Sequence, residues 1–467
     1  MAADLVGRTD ELHRIGEMVH RLAVGRGSLA LLLGEAGMGR TSLLREAIAM
    51  VGREVPRVRA VHVPAGMLRP GSVPTMGTII STSTAAAPVA DVLGGALHRD
   101  GLSLDSPELL EAAIAVVRAE TTERPLLVTL DDLPFQDETA LRALTSLAAA
   151  IVTMPVMVVI TCRDMPSQAY ESSPVGPLWV HRLAPLPVED CIELVRRAAG
   201  AHVPHSVAAG IGRLTGGNPG DMRQLCGLLD DAQLSGMEPL PDPLPGTPVS
   251  AAVYGPWWEA LDHDDRGLVL RAALAIVPEL GALNAPATSG TTLLRGPNGR
   301  PVLEQGGDRV VFRAPRAASA VLALTPAAEI RDAHAVLAAA AAEGAPERHW
   351  HQLLAGGAPT PEALAALADL AEEALSEGDL PLVQRVTTGV VNLAAARDVP
   401  GRLPMTGGLG ALYSGLPGSA VTLLADAAAT TTDACEEHRA LASLILARTY
   451  RDCAIPVPVV EAAISRL

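Results

Sequence analysis

The sequence predicts an α/β domain followed by a largely helical region, and three observations carry that prediction. Residues 1–230 alternate apolar strand-like runs with helical patterns, as a parallel sheet covered by helices does. A proline-rich stretch, 236–249, interrupts this alternation. From about residue 326 to 467 only helical periods remain, punctuated by Gly and Pro. A chain of 467 residues exceeds one hydrophobic core, so the expected organisation is three domains over 1–235, 236–325 and 326–467.

Taken in order, Thr9 to Val24 is an amphipathic helix, with Thr9 and Glu11 near its start. Strands are expected at 28–33, 57–63, 125–130, 155–161 and 178–183. Helices are expected around 106–120, 138–151, 188–199, 204–215 and 219–231. Between the second and third strands, the Pro/Gly/Ser/Thr-rich stretch 64–90 has no assignable structure. The boundary 236–249 reads as stiff and extended, because proline fixes its backbone. Helical residues 255–276 and a hairpin around Gly296-Pro-Asn-Gly299 and Gly306-Gly307 follow, an order compatible with a winged-helix module. Helical segments at 326–343, 361–377, 379–396, 417–429 and 433–450 come next. Their spacing of roughly 35–40 residues per pair suggests degenerate tetratricopeptide-like repeats.

Composition narrows the function. The net charge is −16, with no local run of basic residues, so nothing draws the chain to nucleic acid or an anionic membrane. Aromatic residues are only 2%, so the core is aliphatic. Five scattered cysteines (Cys162, Cys191, Cys226, Cys435, Cys453) lack metal-ligand spacing and read as reduced, mostly buried thiols. Met1 to Arg8 shows no basic-then-apolar leader, and the expected location is the cytoplasm. The uncharged run Ala143–Cys162 is long enough to span a bilayer, but Met154-Pro155 splits it into a helix end and a strand. All 36 basic residues are arginine; lysine is absent.

The chemistry concentrates in two motifs. In Leu29–Ser42 an apolar run enters a glycine turn (Gly34, Gly37, Gly39) that opens into the helical pattern Leu43-Leu44-Arg45-Glu46-Ala47. That strand–loop–helix layout is a phosphate-binding loop, in which backbone N–H groups close on phosphate oxygens at a helix N-terminus. Arg40 occupies the position of its phosphate-reaching lysine. Downstream, Leu126-Leu-Val-Thr-Leu-Asp131-Asp132 ends an apolar strand in paired acids, as a Walker B strand does. In that reading Asp131 holds Mg²⁺ and Asp132 orients or deprotonates the attacking water. Paired acids after a strand also suit a turn or a cap, and the upstream loop favours the metal reading. Arg163, closing the run Ile160-Thr161-Cys162-Arg163, reads either as a γ-phosphate sensor or as a cation capping a sheet edge. Thr215-Gly-Gly-Asn-Pro219 reads as a capped helix start.

These segments also carry a resemblance. Val6-Gly7-Arg8-x-x-Glu11-Leu12, the phosphate loop, Leu130–Leu141 and Gly216-Gly-Asn-Pro219 occur in the order seen in signal-transduction ATPases with numerous domains. The sequence looks most like the large ATP-binding regulators of the LuxR family, of the actinobacterial type. Arg309–Pro315 resembles that family's "FRHP" stretch, and Ile330–His334 and Arg348–His351 resemble the segments leading into its repeats. The resemblance covers roughly residues 4–400 and implies an AAA+-like fold binding ATP or ADP with Mg²⁺. Carried over by position, Val6, Gly7 and Arg8 line the adenine side, and Gly34, Gly37, Met38, Gly39, Arg40, Thr41 and Ser42 hold the phosphates. Thr41 and Asp131 are the metal ligands, Asp132 and Arg163 the catalytic pair, and Pro219 contacts the nucleotide from the helical subdomain. A nucleotide-controlled switch is implied, with self-association or a protein partner through the ATPase and repeat regions.

Two departures qualify that reading. Arginine is a planar fork and not a compact ammonium, so Arg40 puts hydrolysis in question more than binding. Nothing after residue 400 offers a basic recognition helix, so no direct DNA-binding module is expected. A slow ATPase switch and a pseudo-ATPase scaffold therefore both stay open. His349-Trp-His351 has metal-like spacing but is read as helix packing; Trp257-Trp258 is read as a docking anchor, and Asp262–Asp265 as a helix N-terminus.

Overall fold

The computed structural model describes residues 5–65, 117–133, 138–163, 178–200, 202–283, 292–393 and 401–465, together with 114 and 399. Most of the stretch 64–90 and most of the expected helix 106–120 lie outside the described residues. The chain divides into two compact units, Met1–Leu186 and Pro187–Leu467.

In the first unit all five expected strands form within three residues of their expected ends. They are β1 (Ser28–Leu33), β2 (Arg59–Val63), β3 (Leu126–Leu133), β4 (Val156–Cys162) and β5 (Leu178–Arg182). They make one parallel sheet in the order β2-β3-β4-β1-β5. Every residue of β1 and β4 is buried, as strands covered on both faces must be. The side-chain period of two sorts them between faces. Leu29, Leu31, Val128, Val158 and Ile160 pack with Leu144, Leu147 and Ile151 of helix α3 (Glu138–Ile151). Ala30, Leu32, Leu127, Met157 and Val159 pack on the other face, with Ile15, Val19 and Leu22 of α1 (Thr9–Ala23) and Leu43, Ala47 and Val51 of α2 (Arg40–Glu54).

The second unit is mostly helical. The helices Val188–Ala199, His205–Leu214, Pro219–Leu225 and Asp231–Leu234 belong to it, whereas sequence patterning grouped them with the sheet. Their polar ties run downstream: the hydroxyl of Thr247 and the guanidinium of Arg316 both donate to the buried carboxylate of Asp221. The single helix expected over 219–231 is two, because the chain turns after Leu225 and Asp230 opens the second with a capping box to Gln233. The helical residues 255–276 form two helices, Pro248–Ala260 and His263–Leu274, the second starting where Asp262–Asp265 read as a helix N-terminus. The first starts inside the proline-rich boundary, with Thr247 as its cap and Pro248 at a first-turn position that needs no N–H. The second is capped by Asp262, whose carboxylate accepts from the Asp265 backbone N–H at 2.8 Å, as a helix N-terminus there requires.

A three-stranded antiparallel sheet follows: Thr292–Arg295, Pro301–Gly306 and Arg309–Phe312. Its two turns fall at Pro297–Gly299 and at Gly307, near the expected hairpin positions. Trp258 is buried in the core beneath it, and Trp257 Nε1 donates to the Arg295 carbonyl at 2.9 Å. The remainder is helical: Pro315–Leu324, Ala327–Ala340, Pro346–Leu354, Pro361–Glu377, Leu380–Leu393, Arg402–Tyr413, Pro417–Thr430, Ala434–Asp452 and Val457–Ser465. From Ala327 onward each helix packs on the next. All five cysteines are free; Cys162 and Cys191 are buried, Cys226 is half-buried, and Cys435 and Cys453 are exposed. Among the described residues no helix is long and apolar enough to cross a membrane, and no cluster of three or more metal-ligating side chains occurs.

Candidate nucleotide-binding site

The sequence brings Arg40, Thr41, Asp131, Asp132 and Thr161 together at the carboxyl end of the sheet by strand parity. Leu127, Thr129 and Asp131 alternate onto the face that packs on α2, and so do Met157, Val159 and Thr161. β4 pairs with both motif strands, Leu32 lying opposite Thr161 and Leu130 opposite Ile160. Thr161 therefore sits between the phosphate loop and the paired acids.

The contacts there are short. Thr161 Oγ1 donates to Asp131 Oδ1 at 2.6 Å, and Thr41 Oγ1 donates to Asp131 Oδ2 at 2.9 Å. The Asp132 backbone N–H donates to Thr161 Oγ1 at 2.8 Å. Asp132 itself adopts φ 54, in the left-handed region that aspartate tolerates better than most side chains, and the β3–β4 register shifts beside it. Its carboxylate meets Arg40 at 2.8 Å and Arg163 at 3.6 Å. Arg40 is nearly buried, whereas the Arg163 side chain is 62% exposed, so the inner of these two pairs is the stronger. Burial pushes the Cys162 thiol up to about 12, which removes it as a nucleophile.

The loop has the form a phosphate needs. Gly37 and Gly39 take φ 83 and 93, open only to glycine at little cost, and α2 begins at Arg40 with no side-chain cap. No acidic residue lies in the first turn of α2, so its free N–H groups and dipole suit an anion. The oxygens of Thr41 and Asp131 form the hydroxyl–carboxylate pair a hard divalent cation takes. These residues fit Mg²⁺ and a nucleotide.

Arg8 has a different setting from Val6 and Gly7. It is 4% exposed, and its guanidinium donates to the Met38 carbonyl in the loop and to Glu11, both at 3.1 Å. His181 on β5 lies 3.2 Å from the same Glu11 oxygen. Burial raises the Glu11 carboxyl, but the His181 hydrogen bond, a backbone hydrogen bond and the Arg8 charge together outweigh it and hold the group below its usual range. Arg8 thus braces the loop from beneath. Val6 and Gly7 lie just before it, half-buried, and Ser42 lies in the first turn of α2, also half-buried. Pro219 opens its helix in the second unit, where Asn218 Oδ1 accepts from the Gly220 and Asp221 backbone N–H groups.

Thr161 is the functional side chain that sequence patterning did not single out. Its signal was present: it is the lone hydroxyl in the apolar run of β4, on the parity of Asp131. Glu11 stood in the Val6–Leu12 segment, but its partner His181, far along the chain, gave no signal.

The family model of the AAA ATPase domain matches residues 4–159. That stretch is an AAA ATPase domain. It is about a third of the chain, and it holds the phosphate loop and both acids. An uncharacterized protein of Rhizobium meliloti (strain 1021) is 27% identical over 205 residues, covering 37% of this chain and 19% of its own length. The chain thus spans about a fifth of that curated relative. Among solved structures, it is similar to a signal-transduction ATPase with numerous domains, with a tetratricopeptide repeat sensor, from Pyrococcus horikoshii. Identity is 15% and the TM-score 0.30, over 99% of this chain and 64% of that one. It is also similar to Cdc6p of Pyrobaculum aerophilum, at 16% identity and a TM-score of 0.33, over 59% and 75% of the two chains.

Proposed function

We propose that this chain is a nucleotide-gated signalling regulator of the LuxR-type ATPase kind, binding ATP or ADP with Mg²⁺ and hydrolysing it weakly or not at all. The observation that carries the reading is the pairing of Thr41 with Asp131 beside the pairing of Arg40 with Asp132. The first is a metal-ready pair. The second occupies the carboxylate that would have to accept a proton from water, and it turns the Walker A cation toward that acid. Bound Mg²⁺ would neutralise phosphate charge, held by the Thr41 hydroxyl and Asp131. Thr161 keeps Asp131 in place, Arg8 braces the loop, and Arg163 is the second cation on Asp132.

The finer parts of this reading rest on the family resemblance. Val6 and Gly7 would lie on the adenine side, and Pro219 would reach the nucleotide from the helical subdomain. The three-stranded sheet with its helices would act as a winged-helix connector, and the helices beyond it as tetratricopeptide-like sensor repeats. Self-association in the ATP state, a link to transcription and a cytoplasmic location belong to the same reading. A second reading, a pseudo-ATPase scaffold that holds a protein partner through its helices, is favoured by Arg40 being committed to Asp132.

Titration of a fluorescent ATP analogue into wild type, Arg40→Lys and Asp131→Asn, with phosphate release from each, separates the two. Binding by wild type, loss in Asp131→Asn and turnover only in Arg40→Lys would establish the nucleotide-locked switch. Absence of binding by wild type would leave the scaffold.

A further inference from the structure

A cavity of about 420 Å³ opens among the helices Pro361–Glu377, Arg402–Tyr413, Pro417–Thr430 and Ala434–Asp452. That volume lies in the range of small-molecule sites. Its position follows from an unusual helix. Residues 402–413 contain Gly407, Gly408 and Gly410, although glycine is among the poorest helix formers. A Cβ on Gly407 would stand 2.3 Å from Thr387 Cγ2, one on Gly408 2.6 Å from Leu424 Cγ, and one on Gly410 2.7 Å from Val383 Cγ1. The three glycines therefore let this helix sit tightly against its two sequence neighbours. Its other face, with Met405 and Leu409, lines the cavity.

The lining has an aliphatic floor and a charged rim. Leu375, Met405, Leu409 and Ala427 supply the floor, and no aromatic ring is among the lining residues to stack on a planar ligand. Arg402 at the rim is already engaged: it pairs with Asp369 at 2.5 Å and Glu372 at 3.2 Å, and it donates to the Ala365 carbonyl. Glu436 accepts from the Thr431 hydroxyl at 3.1 Å. Arg439 is exposed and forms no ion pair among the described residues. Its planar fork matches a carboxylate. Asp369, Glu372 and Glu436 nearby disfavour any ligand carrying more than one negative charge.

We propose that this cavity binds a small amphipathic carboxylate, with its aliphatic body on Leu375, Met405 and Leu409 and its carboxylate on Arg439. Such a ligand enters a preformed site, bridging helices that are separate in sequence. Under the sensor reading above this is where the signal is received, but the site does not depend on nucleotide.

The test uses the full chain without nucleotide, so that it and the ATP titration can fail independently. Decanoate, decanol and decyl phosphate are titrated by calorimetry into wild type, Arg439→Gln and Met405→Trp. Decanoate is expected to give a saturable isotherm, weakened about tenfold or more by Arg439→Gln, the loss of one charge-assisted contact. Met405→Trp fills the floor and is expected to abolish it. Decanol, lacking the charge, is expected to bind the first two proteins equally, and decyl phosphate to bind more weakly than decanoate. No saturable decanoate isotherm, or the same isotherm in Arg439→Gln as in wild type, overturns the proposal. Decyl phosphate binding more tightly than decanoate overturns the ligand class. Arg439 is exposed, so Arg439→Gln decides the matter even where Met405→Trp does not fold.

Discussion

Two polar clusters, one in each unit, handle charge in opposite ways. At the carboxyl end of the sheet Arg40 faces Asp132, and Asp131 takes hydroxyl donors from Thr41 and Thr161, so anions there meet a cation or polar hydrogens. In the helical unit His334 and His351 meet at 2.9 Å between their Nδ1 atoms, which requires one to donate and the other to accept. Burial pushes His334 down to about 4, with the Arg385 charge adding to it; burial, His334 and Arg385 together push His351 down to about 3. Arg385 is itself lowered by burial, with Asp242 the carboxylate that opposes the shift. It donates to the Leu274 carbonyl at 2.9 Å and the Ala275 carbonyl at 3.1 Å. The first cluster can exchange partners with an arriving anion and cation, since its groups are paired ions and hydroxyls near a glycine turn. The second holds neutral rings and a cation on backbone carbonyls, which suits a fixed joint.

That contrast is open to measurement, and the largest effect is expected in the second cluster. Arg385→Met leaves two carbonyls at the end of the helix His263–Leu274 without their donor, at a cost of about 3 kcal/mol or more. Urea unfolding of the helical unit should show it. If the loss is under about 1 kcal/mol, the joint is not fixed by that arginine. Thr161→Val keeps the shape of the side chain and deletes both its hydrogen bonds, one of them to a carboxylate. About 2–3 kcal/mol of stability in the first unit should go, together with affinity for Mg²⁺-nucleotide. Unchanged nucleotide affinity would remove Thr161 from the site.

A third expectation concerns pH. The two imidazoles titrate near 6.5 when unfolded and well below that when folded, so the unfolded chain binds more protons as pH falls. Stability is therefore full above about pH 6.5 and drains away as pH drops toward 4 and 3. Between pH 7 and pH 5 the loss should be about 2 kcal/mol for each imidazole, about 4 kcal/mol in all. His351→Asn, which keeps a polar atom toward His334, should flatten that slope in thermal melts; an unaltered slope would assign it to other groups. The smallest effect belongs to Asp132→Asn. Its pairs are part-exposed, so folding stability in thermal melts should stay within about 1 kcal/mol of wild type.

Much of the first unit was legible because its signals are local. An uninterrupted apolar run as short as Leu29–Leu33, ended by a glycine turn at 34, 37 and 39, reads as a covered strand. That Asp131 belongs beside the phosphate loop was legible from its place at the end of such a run. What Asp132 does was not, because its left-handed backbone, and so the direction of its carboxylate, depends on a register shift between β3 and β4. The break after Leu225 was missed for a related reason: only the capping aspartate Asp230 marks the restart, whereas the restart at Asp262 was read from its acidic run. The cavity was least legible, since it is made by glycines that act through what they allow to approach.

The φ of 54 at Asp132 also limits what sequence drift can do at this site. Aspartate, asparagine and glycine are the residues that accept that backbone readily. Glutamate, with the longer reach that would carry a carboxylate past Arg40 toward a water, accepts it less well. A single codon change toward a stronger base is thus opposed by the backbone that would bear it. A different side chain with a longer carboxylate at this position should therefore need the register of β3 against β4 to be reset first.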